Sequence, residues 1–228
     1  MQLKDKVAII TGAGSGFGQG IAKRFAAEGA KVVVNDINAA GGERVAEEIR
    51  KAGGAVQFVK ADVTRGADWA ALVAAAQAKF GGLDIVVNNA GWTHRNKPYL
   101  EVTEAEFDKV YAVNVKSVWL SAMHVVPVFR KRGGGAFVNV ASTGGLRPRP
   151  GLTVYNSSKG ATIVMSKSMA ADRSPLCAAH PARISLASSC GQALRPRSNS
   201  RASPSAWRNI GFGLSSSRET ASALCART

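Results

Sequence analysis

Cysteine is scarce in this sequence: three in 228 residues, at Cys177, Cys190 and Cys225, with no C-x-x-C pair. That excludes a disulfide-stapled scaffold and a cysteine-based zinc site. Histidine is as rare, and His94, His124 and His180 are too scattered to complete a metal site with those cysteines, so no metal is expected. No uninterrupted apolar run approaches the roughly 20 residues that a spanning helix needs. Met1 to Lys6 leads into a short apolar strand rather than a signal-peptide core. The expectation is therefore a cytoplasmic protein with no membrane partner. Acids are also few, 15 against 30 Lys plus Arg. The 46% apolar and 20% charged residues are ordinary values that allow one large core and exclude wholesale disorder or a collagen-like repeat.

A net charge of +15 raises nucleic acid as a partner, so its location matters. Residues 1–172 carry 22 Lys plus Arg and 14 acids; residues 173–228 carry eight Arg, no Lys and one acid, Glu219. The same last quarter holds all the cysteines, four of the eight prolines and twelve serines. Its only aromatics are Trp207 and Phe212, with no recognisable nucleic-acid module, so nucleic acid is not expected as a partner. The reading is a folded domain over 1–172 followed by an atypical Arg/Ser-rich, poorly ordered tail over 173–228. Such an abrupt change is what a GC-rich coding region gives when read in a shifted frame from about residue 172.

Before that point, apolar strand-like runs alternate with helix-period segments. Val7-Ala8-Ile9-Ile10, Val32-Val33-Val34, Val56 to Val59, Ile85-Val86-Val87 and Phe137 to Val140 read as strands. Between them lie helical patterns, including Phe17 to Ala27, a segment with Trp69, Leu72 and Phe80, and a longer one with Phe107, Val110, Val113 and Trp119. A further helix begins near Leu152. The pattern predicts an α/β fold: a Rossmann-type doubly wound parallel sheet in a single domain. The last one or two strands of such a sheet are left open, with Arg183 to Ala187 the nearest candidate for a sixth.

After the first strand comes Thr11-Gly12-Ala13-Gly14-Ser15-Gly16-Phe17-Gly18, spaced G-x-x-x-G-x-G and not G-x-G-x-x-G. Glycines there let backbone amides approach phosphate oxygens, and a helix N-terminus adds partial positive charge. Gly12, Ser15, Gly16, Phe17 and Gly18 are thus candidates for holding a pyrophosphate; the alternative is a glycine-rich loop without a ligand. Asp36 ends the second strand, where a carboxylate accepts bonds from an adenosine ribose and repels a 2′-phosphate. Neither Ser15 nor Ile37 supplies a cation, so NAD is expected and NADP is disfavoured.

Tyr155 and Lys159 stand one helical turn apart, on one face. Hydride reduction of a carbonyl leaves an alkoxide that needs a proton, and a phenol serves at neutral pH when a nearby cation favours the phenolate. Ser142, at the end of the fifth strand, is placed to hydrogen-bond a substrate oxygen. Together with Asn88-Asn89-Ala90-Gly91 and Asn114, these residues resemble the short-chain dehydrogenase/reductases over about residues 1–172. The resemblance implies an NAD(P)-dependent oxidoreductase that interconverts a secondary alcohol and a ketone. It gives Tyr155 the acid/base role, Ser142 the orienting hydroxyl, Lys159 the phenolate-favouring cation and nicotinamide-ribose contact, and Asn114 the anchor of a water relay. It places Asp62 and Val63 at the adenine, and Asn89, Ala90 and Gly91, after Asn88, beside the cofactor. It also implies a homo-oligomer, tetramer or dimer, built on the long fourth and fifth helices.

Trp92, His94, Leu146, Leu152 and Val154 are candidates for lining the pocket. Arg147-Pro148-Arg149-Pro150 reads either as a contact for an acidic substrate or as a solvated turn. Ser189-Cys190-Gly191 stands where the family has a Pro-Gly turn, and no seventh strand is legible. The alternative function is accordingly a dinucleotide-binding protein in which loss of the C-terminal substrate region impairs catalysis.

Overall fold

The computed structural model describes residues 1–171 and the backbone of Arg183–Ser189. The expected tail over 173–228, apart from that backbone, lies outside the described residues. Apolar strands buried on both faces can only be central, and β1 (Val7–Thr11) is buried at all five positions. It lies between β2 (Lys31–Asp36) and β4 (Ile85–Asn88), with Ile9 opposite both Val33 and Val86. β3 (Val56–Lys60), β5 (Ala136–Ser142) and β6 (Arg183–Ser189) complete a parallel sheet of order β3-β2-β1-β4-β5-β6. The sixth strand begins where the sequence places it and pairs with β5 from Ala136↔Arg183 to Ser142↔Ser189.

Successive strand residues face opposite sides, which gives two cores. One joins Ile9, Val33 and Val86 to Trp69 and Leu72 of α3 (Gly66–Phe80) and Phe129 of α5 (Ser117–Arg132). The other joins Ile10, Val32, Val34 and Val87 to Ala22 of α1 (Gly16–Ala27) and to Val45 and Ile49 of α2 (Ala39–Lys51). The single long helix expected after β4 is continuous over Glu104–Arg132, but changes winding on the way. α4 (Glu104–Tyr111) opens with a Thr103/Glu106 capping box and passes through a π turn at Ala112–Lys116 into α5. By length and composition that helix could cross a membrane, which the search for uninterrupted apolar runs does not detect. Its Val118, Leu120, Val125 and Phe129 are instead buried, as in a core helix. α6 (Thr153–Ala171) follows β5 through a short 3-10 turn at Thr143–Gly145.

The chain reverses its build direction between β1 and β4. In open parallel sheets ligands bind at that switch point, outside the carboxyl ends of the strands. The glycine turn leaves β1 there and Asn88 to Gly91 leave β4 beside it.

Candidate active site

The glycine turn is built by close approach. Gly12 and Gly16 have φ of +62° and +55°, a region that favours glycine. A Cβ on Gly18 would lie 2.2 Å from the Gly12 carbonyl oxygen, so no side chain fits. Ser15 is the N-cap residue of α1, yet its hydroxyl caps no amide. Ser15, Gly16 and Phe17 are exposed, and the first intrahelical bond runs from Gln19 N–H to the Ser15 carbonyl. The amides before Gln19 in this first turn therefore face outward as open donors, at the positive end of the helix dipole.

Asp36 closes the side of this turn. Its Oδ2 accepts from the Gly14 N–H at 2.8 Å and its Oδ1 from the Asn38 N–H at 2.9 Å. Each oxygen keeps a further lone pair for a ribose hydroxyl. Asp62 is engaged locally, accepting from the Thr64 N–H and hydroxyl, while the buried Val63 gives its carbonyl to the Trp69 indole N–H at 3.0 Å. Sequence reasoning missed Arg44, whose guanidinium donates to the Gly14 carbonyl at 3.0 Å and pairs with Glu48 at 2.7 Å. Its i,i+4 spacing to Glu48 reads only as a surface pair.

Thr11 ties the second loop to the first. Its hydroxyl accepts from the amides of Asn89 and Ala90, both at 3.0 Å, and the Asn89 carboxamide donates to the carbonyls of Thr11 and Gly12. Asn114 lies in the π turn, a distortion that recurs at functional sites. Its side chain grips the Trp92 backbone from both sides, accepting from N–H at 2.8 Å and donating to the carbonyl at 2.9 Å, and also donates to Ser158 Oγ. The backbone carbonyl of Asn114 accepts from the Thr162 hydroxyl at 2.9 Å.

On the other side stand Ser142, Tyr155 and Lys159. Lys159 is 4% exposed and donates from Nζ to the Val140 carbonyl at 2.9 Å. Burial lowers its pKa from 10.5 to about 8. The ammonium lies 5.9 Å from the centroid of the Tyr155 ring. A Cβ on Gly91 would come within 3.6 Å of Lys159 Nζ and 3.5 Å of Asn114 Oδ1, so the loop after β4, the π turn and α6 converge at this point. Ser142 is 9% exposed, and its Oγ accepts from the Gly144 N–H at 3.1 Å, which leaves its own proton available. Gly144 and Gly145, which sequence reasoning passed over, press this turn onto α6. Cβ atoms there would lie 2.7 Å from Asn156 Oδ1 and 2.7 Å from Gly160 N respectively.

The pocket candidates divide. Leu146 is exposed and Val154 buried. Trp92 lies under the Lys109 ammonium, 4.3 Å from the ring centroid. His94 is 3% exposed, its Nδ1 2.7 Å from the Arg95 carbonyl and its Nε2 without a hydrogen-bond partner among the described residues.

Over residues 6–177 the sequence matches the short chain dehydrogenase family, more than half of the chain. The chain belongs to that family. It is similar to a 4-formylbenzenesulfonate dehydrogenase of Comamonas testosteroni, 54% identical over 170 residues that cover 75% of this chain and 68% of the relative. Among solved structures it resembles a 3-ketoacyl-(acyl-carrier-protein) reductase from Brucella melitensis in complex with NADH, at 48% identity and a TM-score of 0.72, covering 76% of this chain and 72% of that one. It also resembles a 7 alpha-hydroxysteroid dehydrogenase complexed with NADH and 7-oxo glycochenodeoxycholic acid, at 36% identity and a TM-score of 0.74, covering 82% and 70%. This short chain dehydrogenase thus shares its fold with such relatives over about three quarters of its length.

Proposed function

We propose that this dehydrogenase binds NAD(H) and interconverts a small-molecule secondary alcohol and its ketone, with Tyr155 as acid and base. The observation that carries this reading is the buried Lys159 ammonium, one helical turn from Tyr155 and bordered by Gly91 and Asn114.

The chain's own residues fit the cofactor. Open amides at Ser15, Gly16, Phe17 and Gly18, after Gly12, suit a pyrophosphate. Asp36 suits an unphosphorylated ribose, which favours NAD over NADP. Asp62 and Val63 would hold the adenine end, and Asn89, Ala90 and Gly91 would hold the nicotinamide side, of the bound cofactor. The solved relatives in complex with NADH support the same choice. When bound, nicotinamide supplies or takes up the hydride at the carbonyl carbon.

In reduction, ketone, NADH and a proton become alcohol and NAD+. Ser142, its oxygen already accepting from Gly144, donates its hydrogen to the substrate oxygen. Tyr155 gives its phenolic proton to that oxygen as the new C–H bond forms, and in the reverse direction its phenolate takes the proton back. The Lys159 ammonium stabilises that phenolate and keeps protons free for the ribose beyond the one given to Val140. Asn114 holds the Trp92 backbone against this pocket.

The outer face of α4, the π turn, the start of α5 and α6 supports a homo-oligomer: a shallow groove lined by Tyr111, Val115, Trp119 and Met165, with Trp119 48% exposed.

The test is NADH titration by fluorescence and turnover of a ketone panel, on the wild type and Tyr155→Phe. The variant is expected to keep NADH affinity and to lose about 10²- to 10⁴-fold in kcat. A panel rate unchanged by the substitution overturns the acid/base assignment. NADH binding with no wild-type turnover would instead identify a dinucleotide-binding protein without catalysis.

A further inference from the structure

The loop after β4 and the loop before α6 carry four cations between them, Arg95, Lys97, Arg147 and Arg149, and residues 89–98 and 143–152 contain no Asp or Glu. The two loops are strapped together. Asn96 Nδ2 donates to the Pro150 carbonyl at 3.0 Å and Lys97 N–H to the Gly151 carbonyl at 3.1 Å. Gly151 has φ +75°, and a Cβ there would lie 2.1 Å from Asn96 Oδ1. Arg95 and Arg149 are thus each one residue from this strap. Asn156, next to Tyr155, fixes the Arg149 backbone by donating to its carbonyl at 2.8 Å.

Pairing separates these arginines from the rest. Within residues 1–171 there are nine, and Arg24, Arg44, Arg50, Arg65 and Arg132 each pair with a carboxylate. Of the four without an ion pair, Arg130 lies in the last turn of α5, and the other three are Arg95, Arg147 and Arg149, all exposed. Lys97 is neutralised by Glu106 at 2.7 Å. The sequence-near acids Glu101, Glu104 and Asp108 form no ion pair with the three arginines. Pro148 and Pro150 restrict the backbones of Arg147 and Arg149 to extended conformations, so part of the ordering cost of a contact is met before binding.

Resting on the dehydrogenase reading above, we infer that the carbonyl substrate bears an anionic group such as a carboxylate, held by Arg95, Arg147 and Arg149 at the rim beside Tyr155. Guanidinium groups suit that partner because each offers two parallel donors to a carboxylate.

The experiment compares 4-acetylbenzoate with its neutral methyl ester, measuring turnover with NADH and heat of binding to the NAD-loaded protein. The acid is expected to be preferred at least about tenfold in kcat/KM, through KM, with the preference shrinking as salt rises from 20 to 500 mM. Arg149→Gln, and more so Arg95→Gln with Arg149→Gln, should collapse the acid-to-ester ratio. An acid and ester used equally well, or a ratio kept in the double variant, overturns the inference while leaving the hydride chemistry standing. Salt-sensitive binding of the acid without turnover of either compound supports the rim and rejects the chemistry. Absence of acid binding rejects the rim.

Discussion

Lys159 donates its ammonium to the Val140 carbonyl, 2.9 Å away, from a position almost closed to water. The charge has no carboxylate partner among the described residues, so desolvation decides its titration and brings its pKa to about 8.

That shift has a sign in stability. Below about pH 8 both folded and unfolded chains hold the proton, and the full cost of burying the charge is present. Between about 8 and 10.5 the folded chain has lost the proton while the unfolded chain keeps it, so stability rises with pH. The displacement corresponds to about 3 kcal/mol. In Lys159→Met this contribution is gone, and the wild type should gain on the variant by that order between pH 7 and pH 10 in urea unfolding. A difference that stays constant across this range would mean that the ammonium is not desolvated.

Two glycines of α1, one pressed against backbone and one facing open space, should respond in opposite directions. Gly18→Ala forces a methyl against the Gly12 carbonyl, which backbone cannot yield cheaply; it should cost more than about 2 kcal/mol and abolish saturable NADH binding. Gly20→Ala, in the same helix but facing open space, should stabilise by about 0.5–1 kcal/mol with NADH affinity retained. Thermal unfolding with NADH titration of both variants checks the pair.

Asp36→Ala removes a carboxylate that accepts from Gly14 and that we propose as the partner of the adenosine ribose. NADH should bind about 10- to 100-fold more weakly, a loss of one or two charged hydrogen bonds, while NADPH loses less because its repulsion is relieved. The ratio of the two dissociation constants is the readout. A ratio that stays at its wild-type value would remove Asp36 from cofactor selection.

Much of this architecture was legible because parallel strands buried on both faces must be continuous Val and Ile, and because Gly12, Gly16 and Gly18 are demanded by backbone that no side chain can adopt or approach. The Tyr155 and Lys159 spacing is a direct consequence of helical period. Less legible were features that depend on tertiary partners. The π turn at Asn114 leaves no mark in hydrophobic periodicity. Gly144 and Gly145 matter only through their contact with Asn156 and Gly160, and Arg44 only through the Gly14 carbonyl. The apolar helix over Glu104–Arg132 shows the reverse problem, since its composition alone does not reveal the sheet it covers.

The buried amides behind the site allow stability to be separated from binding. Asn88 donates to Ser121 Oγ and to Asn139 Oδ1, each at 2.8 Å, and Asn139 donates in turn to Ser166 Oγ at 2.8 Å, all four residues being at most 5% exposed. This chain crosses from α5 through β4 and β5 to α6. Asn139→Ala would strip an acceptor from Asn88 and a donor from Ser166 and leave a small void, at a cost of about 2–4 kcal/mol. NADH affinity, measured well below the variant's Tm, should nevertheless change less than about threefold, because the amides of Asn89 and Ala90 are held by the Thr11 hydroxyl and not by Asn88. A large loss of affinity in the still-folded variant would show that the ladder positions the loop after β4, and that Thr11 alone does not.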